Sequence, residues 1–428
     1  MLRLLITCLV LGLSAVDASA TQFFVATTGS DSNTCGQAQS VSTPKLTPIE
    51  GCKCLSAAGD RLTIKAGTYS GANAMIYETT CTVPNGTAGN PTIIEGEGSQ
   101  GCAITHTCST ILKPSTTGSN LEDASYVTWR LMEIDGTNNV ADDNGIRLGA
   151  SADLAGDHIV LEDLDIHHHG NHGVFVKTGL TNLTMSRLSL HHNGRLNDFQ
   201  GHGCYCGGDD ILFEDGDVYS NGGVGSNTVG IQFYTDDAIS GATADRPILR
   251  RTKIHDNQGP GLALDGDDGL IYNNLIYGNA SDGVQAGYTR SLRTLLYNNT
   301  IYGNAGYGIY VGKFGDASNS VLTNNHVIGN GTNIAVDAGT SSVTQTTNRS
   351  TGSITDCTVS TSDFSPNGAS SSCNDAGTTV AAVTADFIGT SRPQNGTFDI
   401  GAYEYIVTAS APGSGGRMSN SKGLMGIR

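Results

Sequence analysis

The chain has 428 residues, 40 acidic against 23 basic side chains, and a formal net charge of −17. A phosphate-binding surface needs the opposite sign, so nucleic acid is excluded as a natural partner. With 57 glycines, one tryptophan and few charges, the composition suggests short strands joined by many tight turns.

Arg3 precedes an apolar run, Leu4 to Leu13, that closes on Ala18-Ser19-Ala20. This reads as a secretory signal over residues 1–20, too short to span a bilayer. No later segment is long and apolar enough to do so, and the expected product is secreted and extracellular. Of 11 cysteines, Cys8 lies in the leader, and the remaining even number suits an oxidising compartment. Cys35, Cys52, Cys54, Cys81, Cys102 and Cys108 crowd the N-terminal part, where order alone does not give the pairing. Cys357 with Cys373, flanking a Ser/Thr-rich loop, is the simplest pair. Cys204 and Cys206 share one face of a strand and are expected as two buried thiols.

After the leader, residues 21–125 form an entry segment. In it Phe23-Phe24-Val25-Ala26 alternates like a strand, and Arg61 to Ile64 forms another before the turn at Gly67. Residues 126–340 repeat a cassette. Ile254-His255-Asp256-Asn257 precedes Gly261-Leu262-Ala263-Leu264. Ile276-Tyr277-Gly278-Asn279 precedes Gly283-Val284-Gln285-Ala286, and Ile301-Tyr302-Gly303-Asn304 precedes Gly308-Ile309-Tyr310-Val311. Strand side chains alternate, so Ile146 and Leu148, Val174 and Val176, Ile231 and Phe233, and Leu262 and Leu264 face inward. One coil cannot bury such a face alone, whereas stacking coils at roughly 4.8 Å makes one core. Residues 341–408 should supply the last coils and a closing strand from Phe398 to Tyr405. Residues 409–428 are Ser/Gly-rich and expected to be disordered. The reading is one domain, 21–408.

Asn193, Asn221, Asn257, Asn279, Asn304 and Asn330 hold one turn position. Inward there, each can bond its neighbour in the next coil, for about 0.5–1.5 kcal/mol net per bond. Such residues make poor glycan acceptors even where a sequon overlaps, as at Asn279-Ala280-Ser281. His167, His191 and His255, with His168 and His192, form further rows, read as packing rather than metal binding because Tyr277 and Tyr302 replace His in later coils.

The cassette resembles the repeat of right-handed parallel β-helix proteins. The opening Phe24-Val25-Ala26 with Lys65-Ala66-Gly67-Thr68-Tyr69, and the ending Asp399-Ile400-Gly401-Ala402-Tyr403-Glu404, resemble the two ends of exported members. The resemblance implies an all-β, single-stranded right-handed parallel β-helix. Members include pectate and alginate lyases, uronan epimerases, polygalacturonases and non-catalytic surface proteins, so it implies a fold more than an activity. Gly201-His202-Gly203 with Asp209-Asp210 is similar to a polygalacturonase motif but reverses its order and lacks Arg-Ile-Lys. The calcium pattern of pectate lyases and the Tyr-Gly-Phe-Asp-Pro-His run of mannuronan epimerases are also missing.

The glycine opening the second strand of each cassette fixes a register: Gly145, Gly173, Gly203, Gly230, Gly261, Gly283, Gly308. Counted from it, Arg147, His172, Lys177, His202, Tyr205 and Tyr234 share one external face, where a polysaccharide lies in lyases and epimerases of the resembled fold. Removing the C5 proton of a uronic acid leaves charge on its carboxylate, which Arg147 or Lys177 could offset. His172 or His202 could be the base, and Tyr205 or Tyr234 the proton donor. The plainer reading is a polar outer face with packed aromatic rungs. Further along, Asp209-Asp210, Asp236-Asp237 and Asp267-Asp268 are expected in three successive coils, with Asp265 nearby. Such carboxylates repel unless a cation joins them, and oxygen-only ligands suit Ca²⁺. Asp before Gly or Ala is also ordinary turn chemistry.

The resulting expectation is a secreted, monomeric, carbohydrate-active enzyme. It would act on a uronic-acid polysaccharide by β-elimination or C5 epimerisation, with Ca²⁺ assisting. The net charge of −17 opposes a polyanionic substrate unless cations bridge it. A non-catalytic surface or matrix binding protein is the rival, and a glycoside hydrolase using the Asp ladder the third reading.

Overall fold

The structure, a computed structural model, describes residues 20–76, 80–115, 119–121, 124–138, 143–149, 156–196, 201–223, 228–235 and 243–406. The expected leader and the tail 409–428 lie outside them, except that Ala20 is described.

The chain winds as a solenoid in which every long strand ladder is parallel. Each regular coil crosses three faces. The first runs through Ile231–Phe233, Leu262–Leu264, Val284–Ala286 and Tyr307–Val311. The second holds Leu212–Glu214, Ile248–Arg250, Leu270–Tyr272 and Leu295–Tyr297. The third holds Asp217–Tyr219, Lys253–His255, Leu275–Tyr277 and Thr300–Tyr302. Three earlier strands are long enough to bend across two faces: Val127–Asp135, Asp157–His167 and Val174–Ser186. Alternation puts two apolar side chains inside from each short strand of the first face and one from each on the second and third. Ile254, Ile276, Ile301 and Val327 stack in register and are fully buried, as are Leu249 and Ile271.

The three faces meet at single residues in the left-handed region. Asp210, Arg246, Asp268 and Arg293 turn the chain from first to second face at φ 55, 58, 60 and 60°. Asp163, Arg187, Asp215 and Arg251 turn it from second to third at φ 52, 54, 56 and 50°. One left-handed residue bends a strand sharply, at a cost of roughly 1–2 kcal/mol outside glycine, and the flanking ladders offset it. The inward Asn row stands as expected: Asn193, Asn221, Asn257, Asn279 and Asn304 each donate from Nδ2 to the Oδ1 of the next, at 3.2, 3.0, 3.0, 2.9 and 2.9 Å, the last to Asn330. A second row, Asn274–Asn299–Asn325–Asn348, lies between second and third faces.

The glycines from Gly145 to Gly308 form one column. A Cβ on Gly230 would lie 2.7 Å from Gly261 O and 2.8 Å from Asn257 Nδ2, both fixed by the next coil, and Gly173, Gly203, Gly261 and Gly283 meet the same two neighbours.

Before the regular coils, Gln22–Val25, Arg61–Ile64, Thr92–Gly96 and Val127–Asp135 stack in sequence. Disulfides Cys35–Cys54, Cys52–Cys81 and Cys102–Cys108 staple this end, and Cys357–Cys373 closes a loop at the other. Cys204 and Cys206 are bonded, not free: their Cα atoms are 5.7 Å apart, within bridging range, because the strand there is shorter per residue than an extended one.

The expected closing strand is absent. Residues 398–405 form none; after the last coil the chain folds back along the outside. Asn298 Nδ2 donates to Asp399 O at 2.9 Å, and Gly401 N–H donates to Asn324 O at 2.8 Å. Phe364 and Ala402 cover Leu275 and Ile328 on the third face, and Phe398 packs with Tyr272 on the second. Alternation in this segment is real, but it faces the corner asparagines rather than the backbone of another strand. Arg392 and Glu404 form a buried ion pair at 2.9 Å inside it. Among the described residues no helix is long and apolar enough to cross a membrane.

Candidate functional site

On the outer side of the first face, strand pairing puts Arg147, Phe175, Tyr205 and Gln232 in one row, and Ala263, Gln285 and Tyr310 continue it. The Arg147 guanidinium lies 5.8 Å from the Phe175 ring centre. Phe175 stacks on Tyr205 at 5.9 Å, and Tyr205 on Tyr234 at 3.8 Å and 4°. Gly207 makes room for that ring; a Cβ there would sit 2.6 Å from Tyr234 Cζ. The Tyr234 hydroxyl donates to Val176 O at 3.3 Å and is turned into the wall. Lys177, two residues beyond Phe175, is on the same side of its strand and partly exposed. Arg147, Lys177 and Tyr205 therefore share this face, while Tyr234, expected as an outward proton donor, is buried with its hydroxyl bonded inward.

His172 and His202 border the row, with rings 5.0 and 5.2 Å from Tyr205. Their role differs from the expected one. His202 N–H donates to His172 Nδ1 at 3.0 Å, and Val229 N–H donates to His202 Nδ1 at 2.9 Å. Asn144 Oδ1 does the same for His172 N–H at 3.2 Å. Burial pushes the His202 imidazole down to about 3. Burial, with His202 beside it, holds His172 well below the ordinary value. A neutral ring whose Nδ1 accepts must carry its proton on Nε2. In this state each ring is a donor at Nε2 and has no lone pair there to take a proton. The expectation of a histidine base is corrected accordingly.

The Asp ladder is also rearranged. Asp236 and Asp237 lie outside the described residues. The column that forms is Asp209–Asp245–Asp267, each side chain accepting a backbone N–H of the next coil: Asp245 at 2.9 Å, Asp267 at 2.8 Å, then Leu292 at 3.0 Å. Beside it, acid and base alternate up the corner. Arg246 contacts Asp210 at 2.7 Å and Asp209 at 3.3 Å. Arg293 contacts Asp268 at 2.6 Å and Asp267 at 3.2 Å. Asp265 accepts from Thr289 Oγ1 and Arg290 N–H, both at 3.1 Å. Arg246 and Arg293 hold Asp210 and Asp268 below the usual carboxylate range. A fixed offset from the glycine column fails here because the connection after Phe233 is longer than its neighbours. The described carboxylates are matched by guanidinium groups and backbone donors.

A third constellation lies on the third face. His167, His191, Tyr219, His255 and Tyr277 stack at 4.7, 4.8, 5.2 and 4.7 Å, the expected packing ladder. What sequence reasoning missed is its acidic partners. The Nε2 atoms of His167, His191 and His255 lie 3.2, 3.1 and 3.0 Å from Glu133, Asp165 and Asp217. Each partner sits two residues before the histidine's paired position in the preceding coil, so a Glu/Asp-x-His pattern read across coils could have found it. His106, whose Nδ1 is 2.8 Å from Asp165, comes from a disulfide loop outside the repeat and left no such signal. Burial raises the Asp165 carboxyl, but bonds to His191 and His106 outweigh it and hold it below the usual range.

Comparison with known proteins bears on the fold. The family model described as "Right handed beta helix region" matches residues 132–286 and 226–350. Among solved structures, pectate lyase Pel9A is similar at 16% identity and TM-score 0.54, covering 90% of this chain and 97% of that one. XylC in complex with xylose is similar at 12% identity and TM-score 0.51, covering 74% and 70%. The A-module of the Azotobacter vinelandii mannuronan C-5 epimerase AlgE6 aligns at 16% identity and TM-score 0.45, covering 69% and 91%. No curated protein matches the sequence significantly.

Proposed function

Since this chain belongs to the right-handed β-helix family, we propose that it is an exported carbohydrate-active protein that works across the outer side of its first face. Its substrate is a polysaccharide containing uronic acid, and its reaction is β-elimination or C5 epimerisation. The observation that carries this is the row Arg147–Phe175–Tyr205, with Lys177 and Tyr234 beside it. Parallel pairing holds these groups one coil apart, roughly 4.8 Å. Aromatic faces suit the apolar face of a sugar ring, and the two cations suit its carboxylate.

Both reactions begin with loss of the proton on the carbon next to the carboxylate. Arg147 and Lys177 stabilise the charge that then spreads onto the carboxylate oxygens. His172 and His202, as Nε2–H donors at the border, position sugar oxygens. Tyr205 remains as the outward phenol of the row, and we assign it the proton transfer: as phenolate it takes the C5 proton, and the phenol so formed gives it to the departing glycosidic oxygen in β-elimination. The reaction as proposed uses no calcium at the Asp column. Five disulfides among the described residues support export into an oxidising compartment.

A second reading is favoured by one observation: both histidine Nδ1 atoms are spent on backbone donors. On that reading the same row binds a polysaccharide without turning it over. A panel of uronans separates the two. Elimination produces an unsaturated, ultraviolet-absorbing end, and epimerisation changes the proton NMR of the sugar. Tyr205→Phe should lose either signal while still binding. Retention of wild-type turnover in Tyr205→Phe would refute the assignment of this residue; binding by the wild type with no product on any uronan would leave the binding reading.

A further inference from the structure

The third face carries a constellation that neither reading uses. Asp165 is 2% exposed and directs both carboxylate oxygens at imidazoles. Oδ2 is 2.8 Å from His106 Nδ1, and Oδ1 is 3.1 Å from His191 Nε2. The three donor atoms lie within 4.8 Å of one another. They arrive from three separate segments: the loop closed by Cys102–Cys108, the strand Asp157–His167 and the strand Ser189–His191.

His191 stacks face-on between His167 and Tyr219, whereas His106 meets His191 and Tyr219 edge-on, with its Nε2 3.3 Å from the Tyr219 hydroxyl. The His106 ring stands at 90° to His191, with centres 5.2 Å apart, so that a nitrogen rather than a ring face meets the carboxylate. Its backbone is in the left-handed region, φ 52°, at the end of the short helix Cys102–Thr105. The loop is fixed from below as well: Gly101 N–H donates to Asp163 Oδ1 at 2.6 Å. Disulfide and anchor together hold a strained histidine over a buried carboxylate. A cation placed among the three donors would meet the Asp165 carboxylate and one nitrogen of each ring.

We propose that His106 Nδ1, His191 Nε2 and the Asp165 carboxylate bind one divalent transition-metal ion, with zinc the best match to two imidazoles and one carboxylate. Zinc takes these donors at about 2.0–2.2 Å, in sets of three when a position is left for water or another ligand. The contacts seen between the donors need only a small opening to admit it. The His106 side chain is 46% exposed, which leaves a path from solvent. Calcium, which prefers oxygen ligands, fits poorly.

The test uses the full chain, stripped with chelator and dialysed. Zn²⁺ is titrated by calorimetry, and Co²⁺ is followed by its visible absorption as a probe of nitrogen ligation. One equivalent per chain is expected, with a higher melting temperature on binding. His106→Ala, on the exposed loop, should weaken Zn²⁺ by at least about tenfold in protein whose thermal melt shows it folded. His158→Ala, at an exposed histidine elsewhere, should leave binding unchanged. If His106→Ala does not fold, His106→Gln is measured in its place with the same expectation. Absence of stoichiometric binding, or wild-type affinity in the His106 variant, would overturn the proposal. Either outcome leaves the polysaccharide reading standing, because that reading uses none of these residues.

Discussion

His202 settles a backbone donor and a charge state with one ring. Its Nδ1 takes the Val229 N–H, and burial pushes its pKa to about 3, against an ordinary 6.5. Below pH 6.5 the unfolded chain binds a proton that the folded chain refuses, so stability contributed at neutral pH is lost as pH falls towards 3. The slope is up to about 1.4 kcal/mol per pH unit. His202→Asn keeps an acceptor, as Asn144 does for His172, and removes the titration. Thermal melts from pH 7 to 4 should show wild-type-like stability at neutral pH and a shallower acid decline. Asn279 is a second case: its side chain bonds Asn257, Ile254 and Asn304 while only 1% exposed. Asn279→Ala should cost about 3 kcal/mol, from several buried groups left unpaired, read as a lower denaturation midpoint. The role of the Asn row was legible because an inward amide at a coil corner has one geometry. The roles of His172 and His202 were not, because a sequence does not say which ring nitrogen meets a backbone donor.

The corners show how an element is made from a single conformation. Each bend is one left-handed residue, and at two of the three corners acid and arginine alternate up the stack. The worth of such pairs depends on burial. Arg246 and Asp210 are 49% and 41% exposed, so Arg246→Ala should cost less than about 1 kcal/mol. Asp163 is 1% exposed beneath a guanidinium, and Arg187→Ala strands its charge, for about 3–5 kcal/mol. Urea denaturation of the two variants should separate them clearly; equal effects would mean that exposure does not set the worth of these pairs. This alternation escaped sequence reading because the offset from the glycine column was carried across connections of unequal length. Asp245 and Arg246, which complete the pattern, were therefore missed, and Asp236 was given their place.

At the scale of the molecule, the repeat gave the stack its register, and Gly145 to Gly308 do form one column. The ends follow other rules. Phe398 to Tyr405 reads as a strand but lies across corner asparagines, and the Cys102–Cys108 loop swings His106 over a face it never joins by pairing. Those contacts are tertiary and leave no period in the sequence. The same register assembles the row proposed to act on substrate from Arg147, Phe175, Lys177 and Tyr205, which belong to three different coils. Its most direct test is turnover of a responsive uronan by the Arg147→Ala/Lys177→Ala double variant, with melting followed in parallel. Loss of nearly all turnover at an unchanged melting temperature is the predicted result; wild-type turnover in the folded double variant would contradict the account.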